Sequence, residues 1–283
     1  MPETVRSSKR VALVFYGKHG DTTGRSSSLL SKSNASWSML RDSHASWMQR
    51  LVLGNPSARF DVIAHSWSPE VVETFAELWG PLLVRARHDP TAFVSSSSSR
   101  LAWRCAVEQI NCARTISQLL SLSKAVALKR EQELLTGRPY DFVIVARHDL
   151  LFASAWMLSG TQLSASSQSD DRSLWLPGSC RAQVCEPLSG QVPRGCSLTG
   201  QGCLMAVAHG AGREWMMATD WLFGCSSHVA DTMGETISHF QEYSAELVAR
   251  WPYSATHFLW PLHAWRCGLQ IRWDLLPNYI PGH

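Results

Sequence analysis

The sequence is short of charge. Asp, Glu, Lys and Arg make up 17% of its 283 residues, and the formal net charge is only +3. No dense run of Lys and Arg appears, which argues against the basic face that nucleic-acid binders rely on. No stretch approaches the roughly 18 apolar residues of a membrane span. The first apolar run, Val11 to Tyr16, is too short for a secretory leader with its cleavage site. The expectation is a soluble chain with neither nucleic acid nor a membrane span among its partners or parts. Its default location is cytoplasmic, or the Golgi lumen if an anchor lies outside this sequence. Paired Cys-x2-Cys knuckles, the strong zinc signature, are absent. So are the Gly-x-x-x-x-Gly-Lys and Gly-x-Gly-x-x-Gly phosphate-binding spacings.

What is present suits a packed α/β protein. Hydrophobic residues reach 45%, and the length allows a sizeable core. No internal repeat or dividing linker is visible. The expected organisation is one domain over 1–283, with an N-terminal tail over 1–9 and loop insertions at 159–173 and 178–203. Val11-Ala12-Leu13-Val14-Phe15-Tyr16 is continuously apolar, as in a strand covered on both faces. Trp37, Leu40, Trp47 and Leu51 come next at helical spacing, and Gly54-Asn55-Pro56 stops them. Phe60 to Ala64 is a second strand. Ser68-Pro69 opens a helix whose inner face is Val72, Phe75 and Trp79, and Leu82 to Val84 is a third strand. This β-α-β-α-β order predicts a doubly wound, mostly parallel sheet with helices on both faces.

A long helical stretch comes after it, with Trp103, Val107, Ile110, Ser117 and Leu120 near one face. The core of Tyr140 to Phe152 is the most clearly buried strand. Ser159 to Ser173 reads as a polar surface loop and Leu174-Trp175-Leu176 as a short strand. Ser226-Ser227 opens a helix with Val229, Met233, Ile237 and Phe240 on one face. A last helix covers about Ala255 to Cys267, before a strand marked by Leu269, Ile271 and Trp273.

In open α/β sheets, ligands bind beyond the carboxyl ends of the strands. Three polar strand ends stand out: Tyr16-Gly17-Lys18-His19-Gly20, His65-Ser66-Trp67 and Arg147-His148-Asp149. Asp149 is placed either to hold a divalent cation beside a diphosphate or to cap a turn. Arg147 either meets phosphate or forms a structural ion pair. Gly17 and Gly20 permit close approach of a ligand, with Lys18 adding charge, or they make an ordinary βα turn. His65 suits a pocket wall, whereas Trp67 suits packing under the Pro69 helix. Asp220, in Thr219-Asp220-Trp221-Leu222-Phe223-Gly224, either orients an acceptor hydroxyl or holds a turn. His257 and His263 are six apart, which does not put them on one helical face, and each is expected in core or at the surface.

These blocks occur in order, and together the chain resembles the GT-A-like glycosyltransferases of polysaccharide and glycan assembly. The resemblance runs from about Val11 to Ile280 and is most specific at Tyr140-Asp141-Phe142-Val143-Ile144-Val145-Ala146-Arg147-His148-Asp149-Leu150-Leu151-Phe152. It implies a GT-A-like fold, a nucleotide-sugar donor and hexosyl transfer to a hydroxyl of a glycan acceptor, often with Mn²⁺ or Mg²⁺. It places Asp149 at the donor diphosphate and at any metal, and Asp220 toward the acceptor. Tyr16, Gly17 and Lys18 would lie against the nucleotide, with His65 and Arg147 also on the donor side. The family's metal motif has two acids flanking one residue, whereas Arg147-His148-Asp149 has one. A degenerate relative that binds glycans or partners without catalysis is the alternative. A third reading makes 178–203 the interaction element of a cysteine-rich binding protein.

There are eight cysteines, four of them at Cys180, Cys185, Cys196 and Cys203. The spacing leaves disulfides, free thiols and, least favoured, zinc open. Cys105, Cys112, Cys225 and Cys267 sit in apolar surroundings and read as buried thiols. In an oxidising lumen the four-cysteine segment becomes disulfide-stapled. Thiol titration of the denatured, unreduced protein then finds fewer than eight thiols, and a count of eight rules the staple out.

Overall fold

The computed structural model describes residues 8–17, 29–90, 109–152, 155–164, 172–177, 222–248, 256–272 and 275. Seven strands form one sheet: β1 (Lys9–Tyr16), β2 (Ala58–Ser66), β3 (Leu83–His88), β4 (Phe142–Arg147), β5 (Ser173–Trp175), β6 (Leu222–Cys225) and β7 (Gln270–Arg272). Their order across the sheet is β3-β2-β1-β4-β6-β5-β7. Only β6 runs antiparallel to its neighbours. The doubly wound, mostly parallel α/β architecture expected from the sequence is present and is consistent with a GT-A-like fold. Among the described residues no helix is long and apolar enough to cross a membrane.

The alternation of side chains along a strand explains the layering. Val11, Leu13 and Phe15 of β1 point into one core, and Ala12, Val14 and Tyr16 into the other. The first core is covered by α1 (Leu29–Trp47), by α2 (Pro69–Trp79) and by the chain around Phe152, Trp156 and Leu158. The second is covered by α3 (Gln109–Thr136), α5 (Ser227–Gly234), α6 (Phe240–Val248) and α7 (Thr256–Arg266). A one-turn helix, α4 (Gly160–Leu163), comes after the Trp156 segment. Each central strand therefore lies between two helical layers, which is why it reads as an unbroken apolar run.

Several local expectations shift. α2 buries Val71, Phe75 and Trp79, so its inner face starts one residue earlier than Val72. α3 buries Ile116, Leu119, Leu122, Val126 and Lys129, which moves its buried stripe by one residue from Ser117 and Leu120. A buried lysine on that stripe is what disguised the period. Trp103 and Val107, expected on the same stripe, lie outside the described residues. The Val229–Phe240 face is as expected, but the helix tightens to a 3₁₀ turn over Glu235–His239 before α6. The Ser159–Ser173 loop is partly structured: Ser159 and Gln162 form a reciprocal capping box on α4, and Ser173 opens β5.

α3 and α5 are joined by ionic bonds. Lys129, with no exposed side chain, sits between Glu133 and Asp231 at 2.9 Å each. Its ammonium also donates to the Ser227 carbonyl at 3.0 Å. The Ser227 hydroxyl in turn donates to Glu133 at 2.6 Å. Buried charge is tolerated only when its donors are satisfied, and here they are.

A second network closes the amino ends of β1, β2 and β4. Arg10 pairs with Asp61 at 3.0 Å and lies 4.4 Å over the Tyr140 ring. The Tyr140 hydroxyl donates to Asp61 at 2.9 Å, and burial together with Asp61 pushes its pKa well above the usual phenol value. Asp141 accepts from the Arg10 amide at 2.8 Å. Two motif acids, Asp61 and Asp141, thus hold the sheet together at the end opposite Asp149. Asp61→Ala leaves a buried guanidinium uncompensated and should cost about 3–5 kcal/mol. Arg59→Ala, whose side chain is largely exposed, should change stability by less than about 0.5 kcal/mol. Urea denaturation of the two variants checks the contrast, and a mild effect at Asp61 would remove it from this structural role.

Candidate functional site

The carboxyl ends of β2, β1 and β4 lie side by side, and the strand order reverses between β1 and β4. Such a reversal opens the crevice that ligands use in sheets of this class. The parallel register sets Tyr16 level with Arg147, so the first and third polar strand ends of the sequence meet there.

Arg147 is the last residue of β4. Its Nε donates to Asp149 Oδ1 at 3.0 Å, and its Nη2 donates to Oδ2. This is a two-pronged guanidinium–carboxylate pair, the strongest geometry available to these groups. The arginine side chain is 39% exposed and the aspartate 21%, so solvent reaches both.

The segment after Asp149 is strapped to α1. The Ser43 hydroxyl donates to the Leu150 carbonyl at 2.8 Å, and the Phe152 amide donates to Ser46 Oγ at 2.7 Å. α1 then widens into a π-helical turn over Met48–Val52, closed by a Leu53 amide to Met48 carbonyl bond of 2.9 Å. The Arg50 carbonyl in that turn accepts the Trp156 amide at 2.7 Å. Asn55 finishes the strap, donating to the Trp156 carbonyl and accepting from the Leu158 amide, both at 2.8 Å. Asp149 is therefore held between a buried strand and a segment tied down through its own backbone.

The end of β1 is held differently. Gly17 has φ +121°, a conformation that side chains with a Cβ rarely adopt. Its amide donates to Ser121 Oγ of α3 at 2.8 Å. Ser121 Oγ lies 2.8 Å from His65 Nδ1, and His65 Nε2 lies 3.2 Å from Asp89 Oδ2. A carboxylate only accepts, so the Nε2 proton belongs to the histidine and Nδ1 accepts from Ser121. Lys124 Nζ completes the chain 2.6 Å from the same Asp89 oxygen. His65 is fully buried, with its ring edge-on to buried Trp67 at 4.8 Å. Its reach to the β1 end therefore passes through Ser121. Because Ser121 takes the Gly17 amide, an anion nest at this turn has to draw on other amides.

The remaining expected residues divide into two groups. Tyr16 is fully buried beside Trp260, at 6.2 Å between rings. Lys18, Gly20, Asp220, Cys105 and the four cysteines of 178–203 lie outside the described residues. β6, which Asp220 precedes by two residues, begins with Leu222 opposite Ala146, at the Asp149 end of the sheet. His263 belongs to the core: it lies 3.0 Å from the Tyr243 hydroxyl and 2.7 Å from the Thr232 carbonyl. Cys225 and Cys267 form no disulfide; the first is buried and the second partly so.

The sequence reading missed Ser121, Asp89 and Asn55. Among the described residues, which do not include Asp220, the donor set does not fit a divalent metal. Among the described residues no group of three or more His, Cys, Asp or Glu side chains could hold one. Both Asp149 oxygens already meet Arg147.

Burial holds the His65 pKa down at about 4, against 6.5 for the free side chain, although Asp89 pulls it up. The unfolded chain thus takes a proton first as the pH falls. The contribution of His65 to stability is complete above pH 6.5 and is lost as the pH drops toward 4, at about 1.4 kcal/mol per pH unit. Burial lowers His263 in the same direction. His65→Gln should flatten the fall in urea-measured stability between about pH 6.5 and 5 by up to that slope. An unchanged slope would mean that His65 titrates normally in the fold.

No protein-family model matches the chain, and no curated protein matches it.

Proposed function

We propose that the chain is a glycosyltransferase that moves a hexosyl group from a nucleotide-sugar donor to a hydroxyl of a glycan acceptor. The observation that carries this is that the end of β1 at Tyr16 lies level with Arg147, which pairs with Asp149, where the strand order reverses. The same residues belong to the sequence blocks that resemble GT-A-like enzymes. A sheet of this class serves many chemistries, so the site rather than the fold supports the activity.

In this scheme Arg147 faces the donor diphosphate, and Asp149 holds the planar guanidinium in its orientation. The bond between the anomeric carbon and the diphosphate oxygen breaks, and its electron pair leaves on the phosphate. Arg147 compensates that developing charge, with Lys18 as a second candidate cation. The acceptor oxygen forms the new glycosidic bond, and its proton passes to a carboxylate, for which Asp220 is the candidate. Gly17 lets the nucleotide approach the β1 end closely.

One observation favours a second reading, a relative that binds sugars or partners without transfer. The lone acid has both oxygens committed to Arg147. A panel of UDP- and GDP-sugars, with and without Mn²⁺, separates the two. The expected outcome is stabilisation by one donor class, roughly 5 °C in Tm at a hundredfold excess over Kd. Asp149→Ala should stay folded and lose transfer by about 10²-fold or more. No shift with any donor overturns the proposal, and donor binding without transfer or donor hydrolysis selects the second reading.

A further inference from the structure

We infer that Ser121 and His65 are positioning residues, whose hydrogen bonds fix the Gly17 amide just after β1, where the proposed donor must approach. The inference rests on the proposed function only for the ligand. The hydrogen-bonded chain itself is independent of it.

Four segments converge on this chain. Gly17 comes just after β1, His65 lies near the end of β2, Asp89 comes just after β3, and Ser121 and Lys124 come from α3. Gly17 gains nothing from a side chain of its own, and its φ of +121° leaves its peptide plane to be set from outside. Ser121 does this as acceptor at 2.8 Å. A serine hydroxyl rotates freely unless its own proton has a partner, and His65 Nδ1 supplies one at 2.8 Å. Asp89 fixes which ring nitrogen carries the proton, and Lys124 fixes Asp89. The order is therefore Lys124, Asp89, His65, Ser121, Gly17, and each member orients the next.

Three residues resemble a nucleophilic Ser–His–Asp triad in their contacts, but not in access. Ser121 is 0% exposed and His65 1%, so no substrate carbonyl reaches the serine. The chain is built to hold a backbone amide rather than to attack.

Protonation of His65 would undo the order. Nδ1 would become a donor, and the Ser121 proton would be left with the His65 carbonyl at 3.5 Å, too long for a good bond. The charged groups around the imidazole are Asp89, which favours its protonation, and Lys124 and Arg87, which oppose it. With the His65 pKa at about 4, the chain is intact at neutral pH and lost only on strong acidification.

The test is amide hydrogen exchange and ¹⁵N–¹H shift of Gly17, read by NMR in the full chain. In the wild type the Gly17 amide should be protected at about pH 7.5, and its shift should track the titration of His65 on acidification. Ser121→Ala, which removes only the hydroxyl, should raise Gly17 exchange at least about tenfold and abolish the titration. His65→Gln should abolish the titration as well, with amides in the middle of β1 unchanged in both variants. Unchanged Gly17 protection in Ser121→Ala overturns the inference. Should Ser121→Ala fail to fold, Asp89→Asn gives the same reading, since it should move the His65-linked titration seen at Gly17. Binding of UDP and GDP is then compared. Weaker binding in Ser121→Ala by about fivefold or more supports the inference, and equal binding refutes it. Failure of the wild type to bind any nucleotide sinks the proposed function alone, and the exchange result still decides the positioning role.

Discussion

A strand covered on both faces can carry polar side chains only where it leaves the core. Burying an unsatisfied polar group costs more than a typical contact returns. β1 and β4 obey this along their length: Val11 to Tyr16 and Phe142 to Ala146 are all buried. Their chemistry is therefore driven to the two ends of the sheet. The amino ends take Arg10, Asp61, Tyr140 and Asp141 and use them for cohesion. The carboxyl ends take Gly17, Arg147 and Asp149, where solvent still reaches the charged pair. The constraint that makes the core also selects where a ligand can be met.

The two ends differ in how completely their charges are used. At the amino end Arg10 and Asp61 are both nearly inaccessible, and their bonds turn inward. At the carboxyl end the Arg147–Asp149 pair is joined by a fork and yet left open to water. A guanidinium is planar and rich in donors, so one that is gripped along one edge still presents a face and a charge to a phosphate or sugar oxygen. Rigidity there comes from below, through Ser43, Ser46 and Asn55 holding the chain beyond Asp149.

The sheet was legible because its central strands are unbroken apolar runs, and because turn residues such as Gly80 and Gly137 mark the ends of helices. Adjacency of the β1, β2 and β4 ends came from the β-α-β order. The stripe of α3 was misplaced by one residue because buried Lys129 and Ser121 look like surface residues in a sequence. Asp61 and Asp141, given no role in the sequence reading, prove to lie at the amino ends and to hold the sheet there. His65 was found as an unusual residue, but its partners were invisible. Ser121 is 56 residues away and Asp89 is 24 away, and no local period links them. The π-helical turn is likewise a product of tertiary contacts to Trp156 and leaves no mark in composition.

The lysine between α3 and α5 has a consequence of another kind. Its amine has no accessible surface, with Glu133, Asp231 and Ser227 gathered around it. An amine-directed reagent or an acetylating enzyme reaches Lys129 only when the two helices part. Its rate of labelling, set against that of surface lysines, is a clock for the opening of this helix pair.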